Sequence, residues 1–212
     1  FDEGAAFDGA TFEGVADFRN VSSAGDSHVL DDHLTFAAAT FHDAAKFRQA
    51  SLGYVSFAEA TFEASTDFEH VDFEGDTRFD GATFERIADF DEARFDHDAS
   101  FTGTQFRRLA EFRGVRFDGG SRTASDDVTF ENAVFEDEAD FKLASFRFAD
   151  FKRAECRGEL NFDRAVFRAR ADCHDLAVAG VTNLERTTFE EPVVFDGSTF
   201  GGRVVAQEAT FE

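Results

Sequence analysis

Cys173-His174-Asp175 sets a thiol, an imidazole and a carboxylate side by side, the residue types of an activated cysteine nucleophile. His28, Asp31, Asp32 and His33 place two imidazoles and two carboxylates in one short stretch, a donor set that suits a transition metal. Cys156 is a second thiol, 17 residues before Cys173, a spacing that fits neither a disulfide framework nor a zinc site. Asp67, Asp89 and Glu111 recur 22 residues apart in a chain with 44 acidic and 21 basic residues. Whether any of these groups can act depends on the elements that hold them.

Those elements are written in phenylalanine. The chain of 212 residues has 31 Phe against one Tyr, no Trp and no Met. One dominant core residue indicates one small environment repeated many times. From residue 79 the chain divides every eleven residues: FDGATFERIAD, FDEARFDHDAS, FTGTQFRRLAE, FRGVRFDGGSR. Phe falls at 62, 68, 73, 79, 84, 90, 95, 101, 106, 112 and 117, in steps of five and six. This register gives 39 central positions, 30 of them Phe, the rest including Ala24, Leu30, Leu52, Ala124, Cys156, Cys173 and Leu184. Phe148 alone among the Phe falls outside it. Two residues before a centre stands a small residue, as Ala10 before Phe12 and Ala82 before Phe84.

A helix cannot use this pattern. At about 100° per residue, offsets of 0, 5 and 11 fall near 0°, 140° and 20°, and the small residues fall elsewhere again, so no apolar stripe forms. A strand can. Small, polar, Phe is a two-residue alternation in which the outer two point one way and the middle one the other. Thr61, Asp67, Thr83 and Asp89 are such middle residues, and the Gly-, Asp-, Glu- and Arg-rich residues between segments suit corners.

The pattern resembles the pentapeptide-repeat family, with its motif A-(D/N)-(L/F)-x-x, in the Phe-centred branch where five- and six-residue units alternate. Gly81-Ala82-Thr83-Phe84 and Ala88-Asp89-Phe90 carry the likeness, which runs over essentially the whole chain. The resemblance implies an all-β, right-handed quadrilateral β-helix, a solenoid with four units per coil. Residues 21 or 22 apart then stack, and the 38 steps make about 9 to 10 coils around a Phe-stacked core, a rod of roughly 46 Å. The register slips in RNVSSAGDSHV and in DGGSRTASDDV, so surface loops are expected near 19–29 and 118–128 of a single domain over 1–212. A filled core leaves no internal substrate pocket.

On this frame most of the chemistry dissolves. Cys156 and Cys173 take inward positions as buried thiols, and if Cys173 points in then His174 points out. The His28 to His33 stretch matches no strong ligand motif, and no metal or other cofactor is expected. Asp67, Asp89 and Glu111 form an outward acidic ladder, and family resemblance implies that such faces can mimic duplex DNA and bind type II topoisomerases. Residues 142–170 hold eight bases, among them Arg147, Lys152 and Arg153, against four acids. Phe148 lies at a corner within this belt and Tyr54 at a comparable corner; exposed aromatics there suit partner contact. P-loop, GxGxxG, HExxH and GxSxG motifs are absent, as is the calcium-binding nonapeptide pattern of other solenoids. The expectation is a scaffold for an unknown protein partner rather than an enzyme.

The net charge of −23 opposes direct nucleic-acid binding and docking to an anionic membrane. High acid with only three Lys (Lys46, Lys142, Lys152) resembles proteins of salt-loving microbes, whose self-repulsion salt screens. No apolar run is long enough to span a bilayer and no signal peptide is visible, so a cytoplasmic location, or the soluble part of a membrane-anchored protein, is expected. The chain starts at Phe1 and both ends are in register, which predicts a segment of a longer chain or a homodimer through the β-helix ends.

Overall fold

The computed structural model describes residues 4–23, 33–119 and 128–212. They form 36 two-residue strands in four parallel sheets of nine strands each. The faces begin at Ala5–Ala6, Thr11–Phe12, Ala16–Asp17 and Ser22–Ser23, and are called first to fourth below. Each strand hydrogen-bonds to the strand four elements away, which is the pairing of a four-sided solenoid. Eight steps between nine layers span about 38 Å at ~4.8 Å each. No helix long and apolar enough to cross a membrane occurs among the described residues.

The alternation works as its residue types dictate. Ala82 and Phe84 are buried while Thr83 between them is partly exposed. Phe62, Phe84 and Phe106 stack on the second face, with ring centroids 4.7 and 5.2 Å apart and planes within 3°. Phe68, Phe90 and Phe112 do the same on the third, at 4.8 Å for each step. Rings from opposite faces meet edge-on across the core, as Phe79 of the first face and Phe90 of the third do at 5.4 Å and 90°. Offset stacking along a column and edge-to-face contact between columns both suit the ring quadrupole. Backbone bonds tie the coils together, such as Phe68 N–H to the Asp89 carbonyl at 2.7 Å.

The two irregular stretches wind differently from the repeat count. The inward slot of the fourth face is Ser23, paired with Leu52, and not Ala24. Ala24, Leu30 and Ala124 lie outside the described residues. Between Ser23 and Leu34, and between Phe117 and Val128, the chain advances one face where the register allots two units. The stacking partner of Phe7 is therefore Phe36, and that of Phe101 is Phe130, each 29 residues on. Of the stretches expected as loops, Arg19 and Asn20 make a corner, Ser22–Ser23 is a strand, and Asp118 and Gly119 follow a strand; the remainder is outside the described residues.

A longer period emerges from the columns. On the first face the centres run Phe7, Phe36, Phe57, Phe79, Phe101, Phe130, Phe151, Cys173 and Phe195, with offsets of 29, 21, 22 and 22 that then repeat. The rod is a four-coil module of 94 residues used twice. Both 29-residue steps and both 21-residue steps arise at the corner from the fourth face to the first. The other corners of that edge hold three residues, such as Glu74, Gly75 and Asp76, whereas the short ones hold two, Gly53-Tyr54 and Arg147-Phe148. Gly75 is required above Tyr54, because a Cβ there would lie 2.6 Å from the Tyr54 nitrogen.

Candidate functional site

The third face carries the acidic ladder. Asp67 pairs in register with Asp89, Asp89 with Glu111, and Glu111 with Asp140. Each aspartate has a local task that its sequence position does not announce. Asp67 Oδ1 accepts the Glu69 N–H at 3.0 Å, Asp89 Oδ1 that of Asp91 at 3.0 Å, and Asp140 Oδ1 that of Lys142 at 3.1 Å. Asn161 and Asn183 perform the same capping for Asp163 and Glu185, at 3.0 Å each. Thr129 does so on the first face. Short polar side chains at this outward position satisfy a corner donor in the manner of an Asx turn.

Capping needs an oxygen, not a charge, so the carboxylates add electrostatics beyond the fold's demand. Oxygens of Asp67, Glu69 and Asp89 gather within 4.8 Å of one another. Burial pushes the carboxyls of Asp89, Glu111 and Asp140 above the ordinary range, and neighbouring carboxylates push Asp89 and Glu111 further the same way. Arginines bracket the cluster. Arg48 pairs with Glu69, and Arg113 reaches Asp91 and Glu111 at 2.5 and 2.6 Å. The acidic ladder is thus a short segment, with Lys46 on the rung below Asp67 and Asn161 on the rung above Asp140.

The basic belt is neutralised by its neighbours. Lys142 meets Asp163 at 3.0 Å, and Lys152 bridges Asp150 and Asp172 at 2.8 and 3.4 Å. Arg153 pairs with Glu131 and hydrogen-bonds Asn132 at 3.0 Å, while Arg157 pairs with Glu136. Arg147 donates to the Gly119 carbonyl at 2.8 Å and lies 5.5 Å from the centre of the Phe148 ring. Apart from Asp150 and Asp163, these acids lie outside residues 142–170, about one coil away in sequence from the bases they meet, which is why a count along the chain exaggerates the belt.

Cys156 and Cys173 are buried, and burial drives the Cys156 thiol up to about 12 and the Cys173 thiol up as well. Both are the opposite of an activated nucleophile. His174 faces outward beside Asp172 and has Asp196 at 3.8 Å. Among the His28 to His33 group only His33 is described. Its ring stacks on Tyr54 at 3.8 Å, and the Arg78 guanidinium lies 5.8 Å from the Tyr54 centroid. Tyr54 and Phe148 are 94 residues apart, at equivalent short corners of successive modules, and each has an arginine over its ring.

A family model described as pentapeptide repeats (9 copies) matches residues 29–72, 65–105 and 79–125. Over that span the chain is a pentapeptide-repeat protein. Among solved structures, full-length QnrB1, a plasmid-mediated fluoroquinolone resistance protein, is similar at 10% identity over 89% of this chain and 92% of that one, with a TM-score of 0.33. A trypsin-treated variant of QnrB1 aligns at 10% identity over 92% of this chain and 89% of that one, with a TM-score of 0.22. At these scores the likeness carries no argument about activity. No curated protein matches the sequence significantly.

Proposed function

We propose that this pentapeptide-repeat rod is a non-catalytic scaffold that engages a protein partner along the edge between its fourth and first faces. The observation that supports this reading is the coincidence on that edge. The two departures from the regular winding and the two aromatic short corners all fall there, and they recur together after 94 residues, while the other three edges stay regular. A regular solenoid needs no such feature for stability, and solenoids use extended surfaces for recognition. The partner's identity is not written in the rod.

Site-specific photocrosslinking in the cell of origin tests the reading. A crosslinking residue at His97 or Arg170, on this edge, should give a discrete protein adduct, and one at Thr61 or Thr83 on the second face should not. Equal labelling from both faces would end it. A second reading, mimicry of duplex DNA toward a type II topoisomerase, draws on the charge that Asp67, Asp89 and Glu111 carry beyond their capping task. Inhibition of supercoiling that is lost in Asp67→Asn with Asp89→Asn would favour it, and absence of inhibition at low and high salt would remove it.

A further inference from the structure

The fourth face holds a concave groove of about 700 Å³ whose lining reverses the sign of the molecule. Four arginines, Arg94, Arg116, Arg164 and Arg168, line it against three carboxylates, in a chain of net charge −23. Arg94 and Arg116 precede the belt and Arg164 and Arg168 belong to it, and only the winding brings them together. Arg94 and Arg116 are in-register neighbours on adjacent coils. Like charges placed directly opposite on a sheet are destabilising unless compensated. Arg94 is compensated, by Asp96 at 2.5 Å and Asp118 at 3.6 Å. Asp118 is shared with Arg168 at 3.7 Å. The Arg116 guanidinium has no hydrogen bond or ion pair among the described residues.

The next residue of the same ladder is Ser145, whose Oγ is shielded from solvent without a hydrogen-bond partner. A cation and a hydroxyl, neighbours on one wall, thus both lack an acceptor or donor. Beside them lie Val166 and the side chain of Leu143, which is 53% exposed. Guanidinium groups on the floor and wall of a groove can donate to one tetrahedral oxyanion from several directions, whereas a planar carboxylate is satisfied by a single fork. The volume exceeds what a bare oxyanion fills and falls in the range of small-molecule sites.

We infer that this groove binds a small phosphate monoester, the phosphoryl oxygens held by Arg116 with Arg94 and Arg168, and the organic portion lying on Leu143 and Val166. Calorimetric titration of the intact chain at fixed ionic strength tests this with three probes: phenyl phosphate, inorganic phosphate and benzoate. Phenyl phosphate should bind saturably with one site per chain, inorganic phosphate at least several-fold more weakly, and benzoate not measurably. Arg116→Gln should weaken both phosphates at least tenfold, and Leu143→Ser should weaken phenyl phosphate alone. Arg116 is exposed, so its replacement should leave the circular dichroism spectrum and melting curve unchanged. Should it not, Arg168→Gln carries the same expectation. No saturable binding of phenyl phosphate, benzoate binding as tightly, or unchanged affinity in a folded arginine variant would each overturn the assignment.

Discussion

Replacing Phe90 by alanine isolates what one ring contributes to the rod. Phe90 is fully buried, with Phe68 and Phe112 stacked at 4.8 Å on either side. Phe79, Phe101 and Phe84 present edges to it at 5.4, 5.6 and 6.0 Å. The void cannot close easily, because the coil is pinned above and below by backbone bonds such as Phe90 N–H to the Glu111 carbonyl at 2.7 Å. Burying a Phe is worth up to about 3 kcal/mol, and truncation in an uncollapsed site costs about 3–5 kcal/mol. Two stacked and three edge contacts place Phe90→Ala near the upper end, about 5 kcal/mol. Phe211→Ala is the control: that ring is 57% exposed and stacks only on Phe189, at 5.0 Å, so a loss of about 1 kcal/mol is expected. Urea unfolding followed by circular dichroism reads both. If the Phe90 variant is not destabilised by at least about 2 kcal/mol more than the Phe211 variant, the Phe columns are not the main source of stability.

Other perturbations follow from the same structure. Asp89, Glu111 and Asp140 have carboxyls raised in the folded chain, so the native state binds more protons than the unfolded one in the window from their ordinary values of 3.8 and 4.5 upward. Their contribution to stability therefore grows as pH falls through the raised values, and melting midpoints should be higher near pH ~5 than at pH ~7. Asp89→Asn keeps the cap and should shrink that difference; a midpoint that falls steadily on acidification to that point would contradict the ladder's strain. The Thr66 hydroxyl is buried without a partner, so Thr66→Val should stabilise by about 1 kcal/mol in the same urea assay. Cys156 and Cys173 should resist alkylation at mildly alkaline pH until the chain is unfolded, and rapid native labelling would show that the thiols are not held as described.

The inside of the rod was legible because its rule is local. Small, polar, Phe is read from three residues, and the five- and six-residue steps place stacked partners such as Phe62 and Phe84 without any tertiary information. Loss of register was harder. Counting residues between Phe18 and Phe36 allots two centres, Ala24 and Leu30, but the winding has one there, Ser23 on the fourth face. A count cannot distinguish a degenerate unit from added length at a corner. The 94-residue module hid for the same reason, because its marks are corner lengths and not residue types. The arginine groove does leave a signal in the sequence: Arg94 and Arg116 stand immediately before Phe95 and Phe117, and the outward position before a stacked centre is itself stacked.

Charge on the third face shows where the fold's requirements stop. The corner donor after each strand needs an acceptor, and Asp140, Asn161 and Asn183 supply it in three successive coils at 3.1, 3.0 and 3.0 Å. The bond lengths do not register the difference between carboxylate and amide. The carboxylates instead crowd one another, and burial and mutual repulsion make them harder to ionise. A coil built only for stability would use Asn throughout this column. Retaining Asp at 89 and 140 costs the isolated rod some stability, so the reason for it must lie in what surrounds the rod: concentrated salt that screens the column, or a cationic surface that meets it. These two differ in reach. Screening acts on every face alike, and a complementary surface acts on one, so replacing Asp67 and Asp89 by Asn should leave the salt dependence of unfolding nearly intact if salt is the cause. Loss of that dependence with these two carboxylates alone would assign it to the ladder.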